Sequence, residues 1–342
     1  MDMLRRRLFM GASAAFAMLV LILDSKTALN GAYQGVHMCL YTVIPSLFPF
    51  FVVSILLTGC LTGLALPILA PLERLCRLPC GSASILLTGL LGGYPVGAQA
   101  TAQAYYQGSI AKEDAQRMLA FSSNAGPAFL FGLIGQQFTH PWMPWVLWLV
   151  HILSAITVGA LLAGKHASAS ALPQKGPPDI TEAVTKSIRV MAGVCGWIVV
   201  MRTVTAFLER WFFFLLPPAL QVVVTGLLEL ANGCVALPAI ENEGMRAIIC
   251  SGLLAFGGIC VSLQTAAVTR GLSMRLYFPG KILQCSISVV LTGILQFFLL
   301  GTGFRTALNW PFWAIIIVIF AMIPIFYKIT AKNSSKLDAV GV

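Results

Sequence analysis

The chain has 342 residues, 58% of them hydrophobic and 10% charged, with a formal net charge of +10. Its mean hydropathy is +0.86, whereas a soluble domain carries about 25% charged residues, so the main solvent of this chain must be lipid. At about 20 residues per crossing the length allows roughly ten spans, which excludes a large extramembrane enzyme, a nucleic-acid-binding domain and a secreted disulfide scaffold.

The expected fold is all-α, a polytopic integral membrane protein of about 8–10 transmembrane helices in two related halves with interrupted or re-entrant helices. Apolar segments run over residues 8–23, 37–66, 82–106, 118–138, 142–164, 188–208, 211–236, 246–269, 277–300 and 308–327. Residues 1–36 read as an N-terminal transmembrane anchor and loop, and Arg5-Arg6-Arg7 sets that end in the cytoplasm. A first membrane repeat over residues 37–164 and a second over 188–300 flank a Pro/Gly/Ser/Ala linker at 165–187, and residues 301–342 supply a last span and a basic tail. Thr88-Gly89-Leu90-Leu91 recurs as Thr225-Gly226-Leu227-Leu228, and Ala120-Phe121 as Ala255-Phe256, which marks the duplication.

Loop charge gives the sides. Arg74 and Arg77, the group Arg270, Arg275 and Lys281, and the tail lysines fall inside, while Glu241 and Glu243 fall outside. One loop disagrees: if all ten segments cross, the linker with Lys165, Lys175 and Lys186 lies outside. Either it is an exception, or one segment in each half turns back without crossing.

Four segments carry helix breakers and polar groups at their centres. They are Ile44-Pro45-Ser46-Leu47-Phe48-Pro49, the stretch Gly92-Gly93-Tyr94-Pro95-Val96-Gly97-Ala98-Gln99, Ser122-Ser123-Asn124-Ala125-Gly126-Pro127, and Glu229-Leu230-Ala231-Asn232-Gly233. Non-helical backbone at membrane depth survives only where protein or a water-filled cavity satisfies it, and paired interruptions point to a midplane site. Pro45, Pro49, Gly93, Pro95, Gly97, Gly126, Pro127 and Gly233 are therefore read as the helix-breaking gate. Ser46, Tyr94, Gln99, Ser123, Asn124, Arg202, Asn232 and Gln264 are read as candidate substrate contacts, with Glu229 carrying a coupling proton or sodium ion. Arg202 and Glu229 admit a second reading, a mutual salt bridge that only fixes packing. His37 and His151 read as packing residues. The nine cysteines form no C-x-x-C pair, and neither a metal site nor a cofactor is expected.

Val43-Ile44-Pro45-Ser46-Leu47-Phe48-Pro49-Phe50-Phe51, Gly93-Tyr94-Pro95-Val96-Gly97-Ala98, the Ser122–Pro127 run, Asn232-Gly233 and Phe256-Gly257-Gly258 together resemble the sporulation integral membrane proteins of the nucleoside-recognition (Gate) domain family. Ser123 and Ala125 stand where that pattern reads Asn and Pro. The resemblance implies a transporter or permease of a small organic anion during endospore formation, with dipicolinate as cargo and the outer forespore membrane as location. The alternatives are a nucleoside or other neutral-solute transporter, and a non-transporting scaffold for spore envelope or cortex assembly. Membrane lipid, the anion, and a homo-oligomer or other sporulation membrane proteins are the expected partners, without nucleic acid. No Ser/His/Asp set, H-E-x-x-H motif or P-loop suggests an enzyme.

Overall fold

A computed structural model describes residues 2–61, 67–164 and 179–300, and every regular element in them is helical. The expected span at 308–327, the tail and most of the linker lie outside the described residues. Helix α1 (Asp2–Leu23) meets α2 (Ser25–Met38) at Asp24, whose carboxylate accepts from Thr27 N–H at 3.4 Å. α2 passes through a wide π turn, Cys39–Val43, into α3 (Ile44–Leu61). Pro45 and Pro49 do not interrupt this segment as the sequence suggests; both lie exposed on an apolar rod that is helical from Ser25 to Leu57. A π turn just before Pro45, with Ile44 N–H reaching back to Cys39 O, widens the helix there, and Pro49 sits within the helix.

After the short α4 (Ala70–Cys76), the chain forms two half-length helices, α5 (Ala83–Gly92) and α6 (Val96–Tyr106). Each is about 15 Å long at 1.5 Å per residue, half the roughly 30 Å hydrocarbon core. Gly93, at φ +76°, turns α6 back beside α5. α7 (Lys112–Ser122) then descends, stops at the irregular stretch 123–127, and resumes as a π-helical run, Ala128–Ile134. α8 (Met143–Leu161) returns. Its end is tied to α4 where Arg77 Nη1 donates to Gly164 O at 3.3 Å, and Arg117 of α7 donates both to Cys76 O at 2.6 Å and to Leu162 O at 3.4 Å.

The second half begins with α9 (Ile180–Trp211), antiparallel to α2 and α3. Gly31 abuts Thr203, Gly35 abuts Val199, and Arg210 closes on Asp24 at 3.2 Å. α10 (Pro218–Leu228) and α11 (Leu230–Val235) form a second hairpin, in which Gly233 packs on Gly226 with no room for a methyl group. α12 (Glu243–Phe256) breaks at Gly257 and Gly258, φ +83° and +80°, and continues as α13 (Gly258–Val268). α14 (Tyr277–Leu300) crosses back against α12 and α8.

Contacts at the ends fix two faces. On one lie Arg77, Gly164, the start of α5 and the α13 exit, where Tyr106 OH donates to Arg270 O. On the other lie Gln137, Glu243, His140 and Arg246: Arg246 Nη1 donates to Gln137 O at 2.8 Å, and Thr139 N–H to Glu243 Oε1 at 2.9 Å. The halves therefore repeat one order in opposite directions, as long helix, re-entrant hairpin, broken helix and closing helix. Segments 82–106 and 211–236 turn back rather than cross. The two ends of the linker, at Gly164 and at the start of α9, come to the Arg77 face, which removes the conflict in loop charge. Among the described residues five helical stretches are long and apolar enough to span: Ser25–Leu57, Met143–Leu161, Ile180–Trp211, Glu243–Val268 and Tyr277–Gln296.

This arrangement makes two predictions. Gly164→Cys should label with an impermeant thiol reagent from the same side as Lys112→Cys, and Glu241→Cys from the opposite side. A methyl group on Gly97 would strike Ser122 O, whereas Gly193 has open space around it. Gly97→Ala should therefore lose monodisperse protein on detergent extraction, and Gly193→Ala should keep it.

Candidate functional site

Each break leaves backbone groups without helical partners, and in lipid these must be satisfied from elsewhere in the protein. At the first hairpin tip, Ser54 Oγ of α3 donates to Leu91 O at 3.1 Å. In the stretch 123–127, Asn124 Nδ2 donates to Phe121 O at 2.7 Å and Ala125 N–H to His151 Nε2 at 3.0 Å. Tyr94 OH reaches across to the α12 break and donates to Leu254 O at 3.0 Å. At the second hairpin, the Glu229 carboxylate caps α11, accepting from Ala231 N–H at 3.0 Å and Asn232 N–H at 2.7 Å. The favourable field of a helix N-terminus compensates in part for burying that charge.

The breaks also touch one another. Gly126 lies on Gly93, and Gly258 on Gly226 O, at distances that exclude any side chain. Tyr94 lies against Gly257 and so joins the two pairs.

Beside this junction lies Lys281 of α14, fully buried. Its Nζ donates to Ser123 O and, at 2.8 Å, to Gln284 Oε1, and stands 5.4 Å from the centre of the Tyr94 ring. Gln284 Nε2 in turn donates to Asn124 Oδ1 at 2.9 Å. Among the described residues no carboxylate pairs with Lys281. An ammonium has three donors, and two have partners here. The neighbouring groups are polar as well. Tyr277 OH faces the hydroxyls of Thr265, Ser262 and Ser123, and Tyr277 OH, Thr265 Oγ1 and Ser123 Oγ are buried there without a well-formed hydrogen bond among the described residues. His151, within electrostatic reach of Lys281, accepts at Nε2, so the proton of the neutral ring sits on Nδ1, which is also unpartnered. Buried polar groups are normally paired. A buried lysine beside several buried hydroxyls and an imidazole N–H offers donors that an anion would engage.

The sequence-derived candidates divide accordingly. Tyr94, Ser123 and Asn124 stand in this cluster. Asn232 stays in the second half, its Nδ2 donating to Ile198 O at 3.4 Å. Arg202 does not meet Glu229: its guanidinium forks onto Glu209, at 2.8 and 3.1 Å, and onto Gln34 of α2. A side chain on the α2 side of α9 cannot reach a carboxylate folded over the start of α11. Ser46 is occupied within its own helix, donating to Thr42 O at 2.6 Å. Gln99 is exposed and Gln264 half-buried. Lys281, Tyr277, His151, Thr265 and Gln284 were missed. Lys281 is not an inside-loop charge but a helical residue four positions after Tyr277, flanked by Phe278, Ile282 and Leu283. That apolar setting was the available signal.

Together these features define an all-α polytopic membrane protein with buried polar groups at its helix breaks. Over 316 residues, covering 79% of this chain and 78% of the relative, it is 24% identical to the sporulation integral membrane protein YlbJ of Bacillus subtilis (strain 168). No family model matches the chain, so the Gate-domain likeness rests on the motifs alone. No solved structure matches it.

The Glu229 cap gives a stability prediction. Glu229→Ala should destabilise the protein by about 0.5–2 kcal/mol, the range for a lost N-cap, and Glu229→Asp should retain most of the cap. Thermal unfolding in detergent measures both.

Proposed function

We propose that this protein carries a small organic anion across a membrane of the sporulating cell, with dipicolinate as the cargo and the outer forespore membrane as the site of action. Support for an anion comes from one observation, the fully buried Lys281, which has no carboxylate partner among the described residues and lies amid buried polar groups. A cation held at this depth is expensive unless paired, and a cargo carboxylate would pair it. Transport, rather than catalysis or scaffolding, is supported by the inverted order of broken helices, which is how many transporters build a midplane site between repeats. On that reading residues 37–164 and 188–300 are the two repeats. The sporulation context comes from the similarity to YlbJ. Glu229 is proposed as the carrier of a coupling proton or sodium ion, since it is the buried acid nearest the paired breaks.

The test is uptake of labelled dipicolinate into proteoliposomes. Saturable uptake should be competed by other aromatic carboxylates and not by uridine. Lys281→Met should reduce it at least about tenfold while the protein remains inserted, because a hydrogen bond to a charged group is worth about 1.5–3 kcal/mol. Arg202→Gln should leave it unchanged. Uptake of uridine without dipicolinate would replace this reading with the neutral-solute one.

A further inference from the structure

One face of α14 is polar along its length. Lys281, Gln284, Ser288, Thr292 and Gln296 recur at three- and four-residue spacing, so they form a single stripe, and all five are buried. The stripe starts at the cation cluster and ends where Gln296 packs on Gly244, at the face that carries Glu243. Its two middle hydroxyls pair with hydroxyls on other helices. Ser288 Oγ donates to Ser154 Oγ of α8 at 2.8 Å, and Thr292 Oγ1 to Ser251 Oγ of α12 at 2.8 Å. Ser154 Oγ in turn donates to the backbone of His151, beside the cation. At the outer end Gln296 Nε2 is buried with no partner among the described residues.

Side-chain hydrogen bonds between membrane helices hold packing together, and two hydroxyl pairs alone would be only that. A stripe that leads from the buried Lys281 to one face, and ends in an amide unmatched among the described residues, does more. Hydroxyl pairs exchange each other for water with little net change, whereas an apolar seam loses its burial when wetted. A seam closed by hydroxyls is one that can open to water.

We propose that the seam between α8, α12 and α14 is the route by which water and a small anion reach Lys281 from the Glu243 face, the Ser154–Ser288 and Ser251–Thr292 pairs parting to admit them. The identity of the anion rests on the transport reading above; the route does not.

Substituted-cysteine labelling tests it in a background lacking the native cysteines. Ser288→Cys and Thr292→Cys lie on the stripe, and Ser286→Cys is a buried position on another face of the same helix. His140→Cys and Lys112→Cys mark the two sides. The probe is a small, negatively charged, membrane-impermeant methanethiosulfonate. Both stripe positions should react from the His140 side, at least about tenfold faster than Ser286→Cys, because access controls thiol reaction at fixed chemistry. Inertness at both stripe positions with the markers labelled would overturn the route. So would reaction only from the Lys112 side, or equal reaction at Ser286→Cys, which would indicate general loosening. Added dipicolinate separates the two proposals. If it slows stripe labelling, both stand; if labelling proceeds unaffected, the route stands and dipicolinate fails as the cargo.

Discussion

In this protein the governing constraint is that a peptide group in lipid has no water to turn to. A continuous helix meets that demand internally, whereas each break hands the demand to side chains borrowed from elsewhere. Ser54 serves Leu91, His151 serves Ala125, Tyr94 serves Leu254, Glu229 serves Ala231 and Asn232, and Lys281 serves Ser123. These donors and acceptors come from α3, α8, α14 and both hairpins, so the breaks and the surrounding helices fix one another's positions. Local irregularity has thereby become a global constraint.

The bonds are also unequal in kind. The second-half break is served by a carboxylate that caps a helix start, and the first-half break by an ammonium that meets a free carbonyl. Each charge therefore sits at the end of the backbone dipole that suits it. Lys281 and Glu229 serve separate breaks rather than one another. Tyr94 joins the two sides through its hydroxyl and its ring, which couples the arrangement at one tip to that at the other.

Much of this was legible in the sequence, for identifiable reasons. The hairpin at Gly93 and the break at residues 123–127 were visible because Gly and Pro cluster there among apolar residues, and the TGLL repeat located the matching tip. The linker's charge raised the choice between an exception and a segment that turns back, and the two hairpins match the second. Pro45 and Pro49 misled because proline removes a donor without requiring a break. Arg202 misled because its depth in an apolar segment says nothing of its azimuth around the helix; α9 turns it toward α2. Lys281 was lost to the opposite error. Proximity to Arg270 and Arg275 made it look like a loop charge, although Tyr277 already begins the helix. Buried polar neighbours of Lys281 such as Tyr277 OH and His151 Nδ1 leave no mark in sequence at all, since they exist only as relations between distant elements.

The rods that flank the site have a dimension of their own to satisfy. α9 has 32 residues and the Ser25–Leu57 rod has 33, lengths of about 48–50 Å at 1.5 Å per residue. The hydrocarbon slab is only about 30 Å thick. Packed antiparallel through Gly31 and Gly35, the two cannot adjust separately, so the surplus length must appear as a shared lean or as ends standing clear of the slab. A thinner bilayer would tip the pair further, and with it the hairpins that α3 and α9 hold through Ser54 and Ile198. Membrane thickness thus enters the geometry of the centre mechanically, without any lipid touching it.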